Sequence, residues 1–423
     1  MCDPAFMKRV ALSIEHAGRS RTNPLYHGRR LLQGVLLAAV LLSGSEIESL
    51  AVGFRLPNQD PEAIARGNAF VATADNPSAV YYNPAGITQL EGHNTQAGLY
   101  LLDVNVDCTT SAGIDVEDDA DLRAVPQLYY TWSPGSRFAV GLGVYVPYGL
   151  SLKWPDDTPF RTLAKEGELL YLTINPVVAW QVHPRVAIAA GPTLNVSEAE
   201  FKQGVFSATD LFKVKGDGFA AGFNAGVLWK PDERLAFGVQ YRFPTTVDYD
   251  GEAHYSPVPG STMSSHDATA EIRFPQYVVG GVSFRPTPNW NFEFNIDWTD
   301  WDYVNQVPIR NTPLGDLALA FEWRSSLMYE FGATRQLGKG YFVSCGYFFS
   351  ENSIPDRVFT PLVPDADLHL SSFGIGHRGT RWSWSFAYHF ALGQRTVTGG
   401  DPRANGDYDI FNQAWTASVR FTF

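Results

Sequence analysis

The chain of 423 residues has only 3 cysteines and a charged fraction of only 18%, and no apolar run beyond residue 90 approaches 18 residues. A helix that spans a bilayer needs about 20 consecutive apolar residues, so we expect no helical membrane span in the body of the chain. Cys108 and Cys345 alone do not make a disulfide framework. The net charge of −12 argues against nucleic acid as a partner.

The sequence also lacks the residue patterns of common catalytic and metal sites. There is no G-x-S-x-G, no paired C-x-x-C and no phosphate-binding loop, and His377 and His389 have neither H-E-x-x-H spacing nor a serine partner. We therefore expect no enzyme activity, no cofactor and no metal site. The acidic run at residues 115–121 is open to two interpretations, a divalent cation site or a solvated loop, and solvated loops are the commoner case.

An apolar leader lies near the amino terminus. The basic pair Arg29–Arg30 precedes Leu31–Gly44, an apolar core of 14 residues, and Ser49–Ala51 offers small residues for cleavage. This core is short for a bilayer span but suits a secretory signal peptide. We predict that residues 1–51 are a signal peptide with a long amino-terminal region, with a buried core helix as the alternative. Whether Met7 is the true start stays open.

The next segment, Val52–Leu90, has no strand pattern of its own. Glycines and prolines make it rich in turns, while large apolar side chains recur along it, among them Phe54, Phe70 and Tyr81. A compact irregular segment of this kind needs a container. We interpret residues 52–92 as a hatch inside a barrel formed by residues 93–423.

Alternation with a period of two dominates the remainder. In Asn291–Trp298 one face carries Phe, Phe, Ile and Trp, and the other carries Asn, Glu, Asn and Asp. Aromatic residues reach 14%, which suits short strands with aromatic girdles. We count strands near 94–107, 123–132, 137–149, 168–182, 185–200, 216–229, 234–250, 268–285, 289–301, 317–335, 341–350, 367–377, 381–392 and 412–423.

The links between these strands are short and long in strict alternation, a rhythm that a soluble sandwich has no reason to keep. An open edge in lipid would leave backbone groups unpaired, so the sheet is expected to close. The predicted fold class is all-β, a transmembrane antiparallel β-barrel of about 14 strands with an N-terminal hatch in its lumen. The last strand ends on Phe423, as terminal strands read by the barrel assembly machinery do.

The hatch carries a resemblance to a known family. Val52–Leu56, Ala65–Phe70 and Asn83–Ile87, in this order behind a leader, resemble the start of the mature FadL-type hydrophobe transporters of Gram-negative outer membranes. The resemblance implies an outer-membrane location, contact with membrane lipid and lipopolysaccharide, and a monomer. It also implies passive uptake of hydrophobic small molecules such as long-chain fatty acids or hydrocarbons.

The resemblance also implies roles for individual residues. In the family, the motif that falls on Asn83, Pro84 and Ala85 approaches a kink in the third strand, where a lateral opening forms. The kink glycine falls on Gly149, and Pro147 stands where relatives have a polar residue. Phe54 matches the N-terminal aromatic residue that occupies the high-affinity pocket, although a disordered terminus is the alternative.

An apolar loop is the predicted capture site. Val205, Phe206, Leu211 and Phe212 lie on a long link, where exposed apolar side chains suggest a groove for a hydrophobe. Packing between loops is the alternative. The rival functions are a general porin for polar solutes, an outer-membrane lipid-modifying enzyme, and a structural or adhesive barrel. The sequence leaves the substrate and the oligomeric state open.

Overall fold

The structure is a computed structural model, and it describes residues 53–119, 121–258 and 264–423. The predicted signal peptide lies outside these residues, so its cleavage remains a prediction. No helix in the described part of the chain is long and apolar enough to cross a membrane.

One antiparallel sheet contains every strand of the described chain. Its strands are β1 (Gly92–Thr110), β2 (Asp115–Glu117), β3 (Arg123–Ser133), β4 (Phe138–Lys153), β5 (Glu166–His183), β6 (Val186–Gln203), β7 (Leu211–Trp229), β8 (Leu235–Arg242), β9 (Thr245–Ser256), β10 (Ser264–Phe274), β11 (Tyr277–Thr287), β12 (Trp290–Thr299), β13 (Gln306–Thr312), β14 (Gly315–Ala320), β15 (Ser326–Gly338), β16 (Tyr341–Ser350), β17 (Leu368–Arg378), β18 (Trp382–Val397) and β19 (Gly406–Thr422).

The sheet closes into a barrel because the first and last strands pair. β1 and β19 are antiparallel from Asn94 opposite Thr422 to Thr110 opposite Gly406. Strand β2 folds back on β1 and is not counted as a wall strand. Four wall strands are interrupted, so that each consists of two segments: β8 and β9, β10 and β11, β12 and β13, and β14 and β15. The wall therefore has 14 strands, and the predicted barrel is confirmed.

The alternation in the sequence explains which face each residue takes. In β12 the apolar side chains Phe292 and Ile296 are exposed, whereas Glu293, Asn295 and Asp297 are buried. The apolar face therefore points to the outside of the barrel, where lipid lies, and the polar face points into the lumen. Strand β18 repeats this arrangement, with Trp382 and Trp384 outside.

The hatch fills the lumen with short helices and turns. Its helices are α1 (Pro61–Ile64) and α2 (Ala79–Tyr82), followed by a 3₁₀ helix (Pro84–Gln89). Asp60 caps α1 by accepting the N–H groups of Glu62 and Ala63. Apart from the exposed Glu91 and a few half-buried residues such as Asp75 and Thr88, the described hatch is buried. Its predicted limits, 52–92, and those of the barrel, 93–423, remain predictions.

The interruptions in the wall strands differ from the continuous strands that we predicted at 234–250, 268–285 and 317–335. Proline explains two of them, since Pro244 lies between β8 and β9 and Pro275 between β10 and β11. Proline lacks the N–H that a ladder needs, so pairing stops there. Beyond each break the strand takes a different neighbour; β7, for example, pairs with β8 near one end and β9 near the other.

Candidate functional site

The third wall strand, β4, leaves the barrel wall. It pairs with β3 only from Leu128 opposite Val144 to Trp132 opposite Val140, and its register against β5 shifts between Tyr145 and Tyr148. The ten residues 143–152 are all buried, although alternate side chains of a wall strand would face lipid. This half of β4 therefore bends inward, and a gap opens between β3 and β4.

Hatch backbone and side chains occupy the gap. The backbone N–H of Leu56 donates to the carbonyl oxygen of Pro147 at 2.8 Å, and that of Gly149 donates to the carbonyl oxygen of Phe54 at 2.9 Å. On the other side of the gap, Tyr129 of β3 donates its hydroxyl to the carbonyl oxygen of Gln59 at 2.9 Å. The hatch thus replaces the ladder bonds that β3 and β4 do not make to each other.

The structure places Pro147 and Gly149 at this break, in the strand where the resemblance put the kink. Gly149 is not among the residues with positive φ, so the kink does not depend on a left-handed backbone there. A polar contact between Arg123 Nη2 and Ser151 Oγ, 3.1 Å long, spans the gap nearer its long-loop end.

Asn83, the first residue of the Asn83–Pro84–Ala85 motif, is hydrogen-bonded to β7 and to the hatch itself. Asn83 Nδ2 donates to the carbonyl oxygen of Val227 on β7 at 3.0 Å and to that of Val71 at 2.8 Å. Asn83 therefore binds the sixth wall strand, and the role of Asn83, Pro84 and Ala85 at the break in β4 stays a prediction. The backbone hydrogen bonds between the hatch and the break in β4 come from Phe54 and Leu56. Close to this motif, the ring of Tyr81 contacts the ring of Tyr145 on β4, with 5.1 Å between the centroids.

Phe54 sits in an aromatic box. Its ring is buried, and the surrounding ring centroids lie 5.0 to 6.0 Å away, in Trp301, Trp323, Phe274 and Tyr148. The box residues come from the places where wall strands are interrupted. Pro275 was a signal in the sequence for such a break, but nothing local showed that the four rings converge.

A cavity of about 110 Å³ lies beside Phe54. Strands β5, β6, β7, β9, β10 and β13 contribute to its walls, and Leu362 and Val363 of the link between β16 and β17 lie on the same cavity. Most of the surrounding residues are apolar, among them Leu169, Phe201 and Ile272. A concave apolar site of this kind is the usual form of a small-molecule pocket.

Buried ion pairs anchor the hatch to the wall. The Arg55 guanidinium binds both carboxylate oxygens of Asp297, at 2.8 and 2.7 Å, and stacks on Tyr277 with 3.6 Å to the ring centroid. Arg66 Nη2 lies 3.1 Å from Glu293 Oε2. The alternation in Asn291–Trp298 puts both carboxylates on the polar face of this strand, but no local pattern shows their partners, more than 200 positions earlier.

A second anchor lies near the turn between β17 and β18. Arg378 binds Asp75 at 3.0 Å and Glu62 at 2.5 Å, and Arg285 lies 3.7 Å from Asp75. Burial alone would raise the pKa of Asp75, but the guanidinium groups of Arg378 and Arg285 outweigh it and lower this pKa to about 2. Asp75 is therefore charged at neutral pH and holds the hatch by charge-assisted hydrogen bonds.

The four predicted capture residues separate into two groups. The Phe206 side chain is 76% exposed on the loop, whose backbone is fixed by Asp210 through the N–H groups of Val205 and Phe206. Phe212 is fully buried, because it faces inward and packs with Ala253 and Ala268. Val205 packs against the same inner cluster, and Leu211 is half-buried. Phe206 alone of the four is a large exposed apolar side chain.

The acidic run does not form a metal site among the residues that the structure describes, where no group of three or more His, Cys, Asp or Glu is arranged to hold an ion. Asp115 accepts a hydrogen bond from Thr109, and Asp118 accepts the N–H of Val106. Both cysteines in the described chain are free, Cys108 being buried and Cys345 exposed.

Comparisons with known proteins agree with this architecture. The long-chain fatty acid transport protein of Escherichia coli is 21% identical over 435 residues, which cover 91% of this chain and 97% of that protein. A crystal structure of a Pseudomonas aeruginosa FadL homologue is similar with a TM-score of 0.79 at 17% identity, covering 88% of this chain and all of the other. That of the Pseudomonas putida toluene transporter TodX has a TM-score of 0.72 at 15% identity, with 88% and 100% covered.

A family model described as outer membrane protein transport protein (OMPP1/FadL/TodX) matches residues 43–415. The match covers most of the chain, including the hatch and nearly all of the barrel. The resemblance noted in the hatch is therefore confirmed, as is the outer-membrane location, and the chain is a transport protein rather than an enzyme. The chain belongs to the OMPP1/FadL/TodX family of outer membrane transport proteins.

Proposed function

We propose that this protein takes up hydrophobic small molecules across the outer membrane by a passive route that leaves the barrel through its wall. The observation that carries the proposal is the apolar cavity beside Phe54, which lies in a barrel that the hatch obstructs. Because the described residues of the hatch are packed inside the lumen, we expect them to obstruct the path along the barrel axis. The gap between β3 and β4 is the alternative way out.

The route has three steps. Apolar side chains on the external loops, with Phe206 the most exposed, capture the molecule at the surface. It then moves into the cavity and displaces Phe54 from its aromatic box. Release follows through the gap at Pro147 and Gly149, once the hatch bonds to β4 open. Asn83, Pro84 and Ala85 support this step by holding the hatch against β7.

The concentration gradient and the burial of apolar surface supply the driving force. Transfer of apolar surface out of water is favourable by roughly 25 cal/mol per Å². A molecule that moves from the outer leaflet region into the cavity and then into the membrane stays in contact with apolar surface throughout. Such a route avoids both the periplasmic water and the need for an energy source.

Partners of three kinds follow from this proposal. The exposed aromatic rings of the outer face, such as Trp382 and Trp384, contact membrane lipid, and the long loops contact lipopolysaccharide. The carboxyl-terminal strand, ending on Phe423, is the segment that the barrel assembly machinery reads. A single chain closes the barrel by pairing β1 with β19, so a monomer is sufficient for transport.

Uptake assays test the proposal against its rivals. The gene is expressed in a Gram-negative host that lacks its own hydrophobe transporter, and cells are given labelled apolar compounds. We expect uptake that depends on the intact chain, together with little swelling of proteoliposomes in sugar. Rapid swelling without apolar uptake would instead identify a general porin. Hydrolysis of a fluorogenic ester by the purified protein would identify a lipid-modifying enzyme.

A further inference from the structure

Charge is divided unevenly between the two ends of the barrel. We define the short-turn rim as the six short links with the strand ends that flank them, residues 132–138, 182–186, 229–236, 284–291, 334–342 and 377–383. The rim contains nine Lys and Arg but only two acidic residues, Asp232 and Glu233. The long links, at 108–122, 150–167, 201–215, 251–267, 302–316, 351–366 and 393–411, contain ten Lys and Arg against nineteen Asp and Glu. The short-turn rim is therefore basic in a chain whose net charge is −12.

The cations of the rim are spread around the whole barrel, because each of the six short links carries at least one. They are Arg137, Arg185, Lys230, Arg234, Arg285, Arg335, Lys339, Arg378 and Arg381. Some lie on neighbouring strand ends. The backbone N–H of Lys230 donates to the carbonyl oxygen of Arg185 at 2.8 Å, and that of Arg285 donates to the carbonyl oxygen of Arg234 at 2.7 Å. Like charges on neighbouring strands are destabilising, so an anion from outside the chain would relieve their repulsion.

Few of these cations are neutralised within the protein. Arg285 and Arg378 form ion pairs with Asp75 of the hatch. The other seven form no ion pair with any residue that the structure describes. Of these seven, Lys230 is half-buried and the remaining six are exposed. The rim therefore presents six exposed cations that are available to an external anion.

Two of the exposed cations lie on the lipid-facing side of the rim. Arg335 pairs with Trp290 on the ladder, and its guanidinium lies 5.4 Å from the centroid of that exposed ring. The guanidinium of Arg381 lies 5.5 Å from the centroid of Phe421, which pairs with the exposed Trp382. Exposed aromatic rings at the ends of barrel strands mark the level of the lipid headgroups. These two guanidinium groups are thus at the height of the headgroup phosphates.

We infer that the short-turn rim binds the phosphate groups of anionic phospholipids in the periplasmic leaflet of the outer membrane. Short turns of outer-membrane barrels face the periplasm, so this leaflet surrounds the rim. A ring of cations with a member in every short link fits a partner that encircles the barrel, whereas an acidic protein would contact one side. Such binding fixes the depth of the barrel in the membrane, whichever way a transported molecule leaves it.

Retention of matched lipids by the purified protein tests the inference. Phosphatidylglycerol and phosphatidylcholine with the same acyl chains differ in net headgroup charge, and native mass spectrometry counts the molecules of each that stay bound. We expect the wild type to prefer phosphatidylglycerol by roughly 5-fold or more, the gain from one cation beside an anionic headgroup. Equal retention of the two lipids would overturn the inference and favour an acidic protein as the partner of the rim.

Two triple variants locate the effect. The rim variant removes three exposed cations: Arg185→Gln, Arg335→Gln and Arg381→Gln. The control variant removes the same charge from exposed positions at the long-loop end: Lys153→Gln, Arg310→Gln and Arg324→Gln. We expect the rim variant to lose roughly half of the preference or more and the control to keep it, with heat-modifiable gel mobility as the folding control. A rim variant that keeps the preference, or a control that loses it equally, would overturn the inference.

Two measurements on the wild type need no variant. Salt at about 1 M shortens the Debye length to about 3 Å, so the preference of exposed cations for the anionic lipid should shrink. A preference that salt leaves unchanged would contradict a charge-based site. Glycerol 3-phosphate, which has the phosphate without acyl chains, should not displace the lipid at equal concentration. Displacement would show a site for free phosphate instead of a lipid site. These outcomes do not depend on the uptake assays.

Discussion

The backbone N–H of Gly149 donates to the carbonyl oxygen of Phe54, 2.9 Å away, so the third wall strand is bonded to the hatch where it has left its neighbour β3. The residue whose ring lines the cavity is therefore also the residue that holds the strand bordering the gap. Movement of Phe54 by an entering molecule would strain or break this bond. Occupation of the cavity and opening of the wall are thus coupled through one residue.

Removal of the Phe54 ring is expected to relax size selection. Phe54→Ala leaves space inside the aromatic box, and substitutions of this kind in a packed core cost about 3–5 kcal/mol. The backbone bond to Gly149 remains, so the barrel still closes. We predict that the variant retains longer ligands, such as dodecane, more strongly than the wild type does. Native mass spectrometry measures this, and an unchanged preference for toluene over dodecane would show that the ring does not limit the cavity.

Close approach of the hatch to β7 requires a glycine at position 226. A Cβ added to Gly226 would lie 2.2 Å from Asn83 Oδ1 and 2.8 Å from Pro84 Cδ. Gly226→Ala is expected to displace the Asn83–Pro84 turn and lower uptake. Gly280→Ala is the matched control, since a Cβ there meets nothing within 4 Å. Comparable uptake by the two variants would mean that the turn contributes nothing to transport.

The hatch is expected to be less stable at pH 8 than at pH 5 because of Asp60. Burial and the neighbouring Glu62 raise the pKa of this carboxyl group to about 7. Its contribution to stability is fully present below about pH 4, where the unfolded chain also carries the proton, and is lost as the pH rises through about 7. Asp60→Asn keeps a neutral cap and should slow hydrogen exchange of α1 at pH 8, with little effect at pH 5. An equal effect at both pH values would contradict the titration.

Loss of the Arg378 anchor is expected to loosen the hatch at the short-turn end. Arg378→Gln leaves Asp75 and Glu62 without their main cation, at a cost below the roughly 3–5 kcal/mol of a fully buried pair, because Arg378 is partly exposed. We predict faster sugar flux into proteoliposomes, with unchanged heat-modifiable mobility. Arg381→Gln, in the same turn but over the Phe421 ring, is the control. Flux that stays at the wild-type rate would show that the remaining hatch contacts suffice.

The barrel was predictable because its signal is local and repeated. Alternation in residues such as Asn291–Trp298 shows both the strand and its two faces, and the rhythm of short and long links shows the closed topology. The family motifs added the hatch and the strand that bends. In contrast, the sequence does not distinguish Phe206 from Val205, Leu211 and Phe212, because exposure depends on which side chains face inward in the folded loop.

The site itself depends on contacts that no local pattern encodes. Arg55 meets Asp297, and Phe54 meets Trp301 and Trp323, only because the hatch folds inside the barrel. For a similar reason, no local pattern showed that the hatch binds the break in β4 with the backbone of its first residues, Phe54 and Leu56.

The most direct test of the account closes the gap in the wall reversibly. Arg123→Cys and Ser151→Cys place thiols on its two sides, where the native side chains are 3.1 Å apart, and Cys345→Ser removes the exposed native thiol. A bifunctional thiol reagent with a reducible bridge then links β3 to β4, and each single-cysteine variant controls for modification alone. Lateral release predicts that toluene uptake stops on cross-linking and returns on reduction. Uptake that continues at the uncross-linked rate, with the link verified by mass spectrometry, would contradict it.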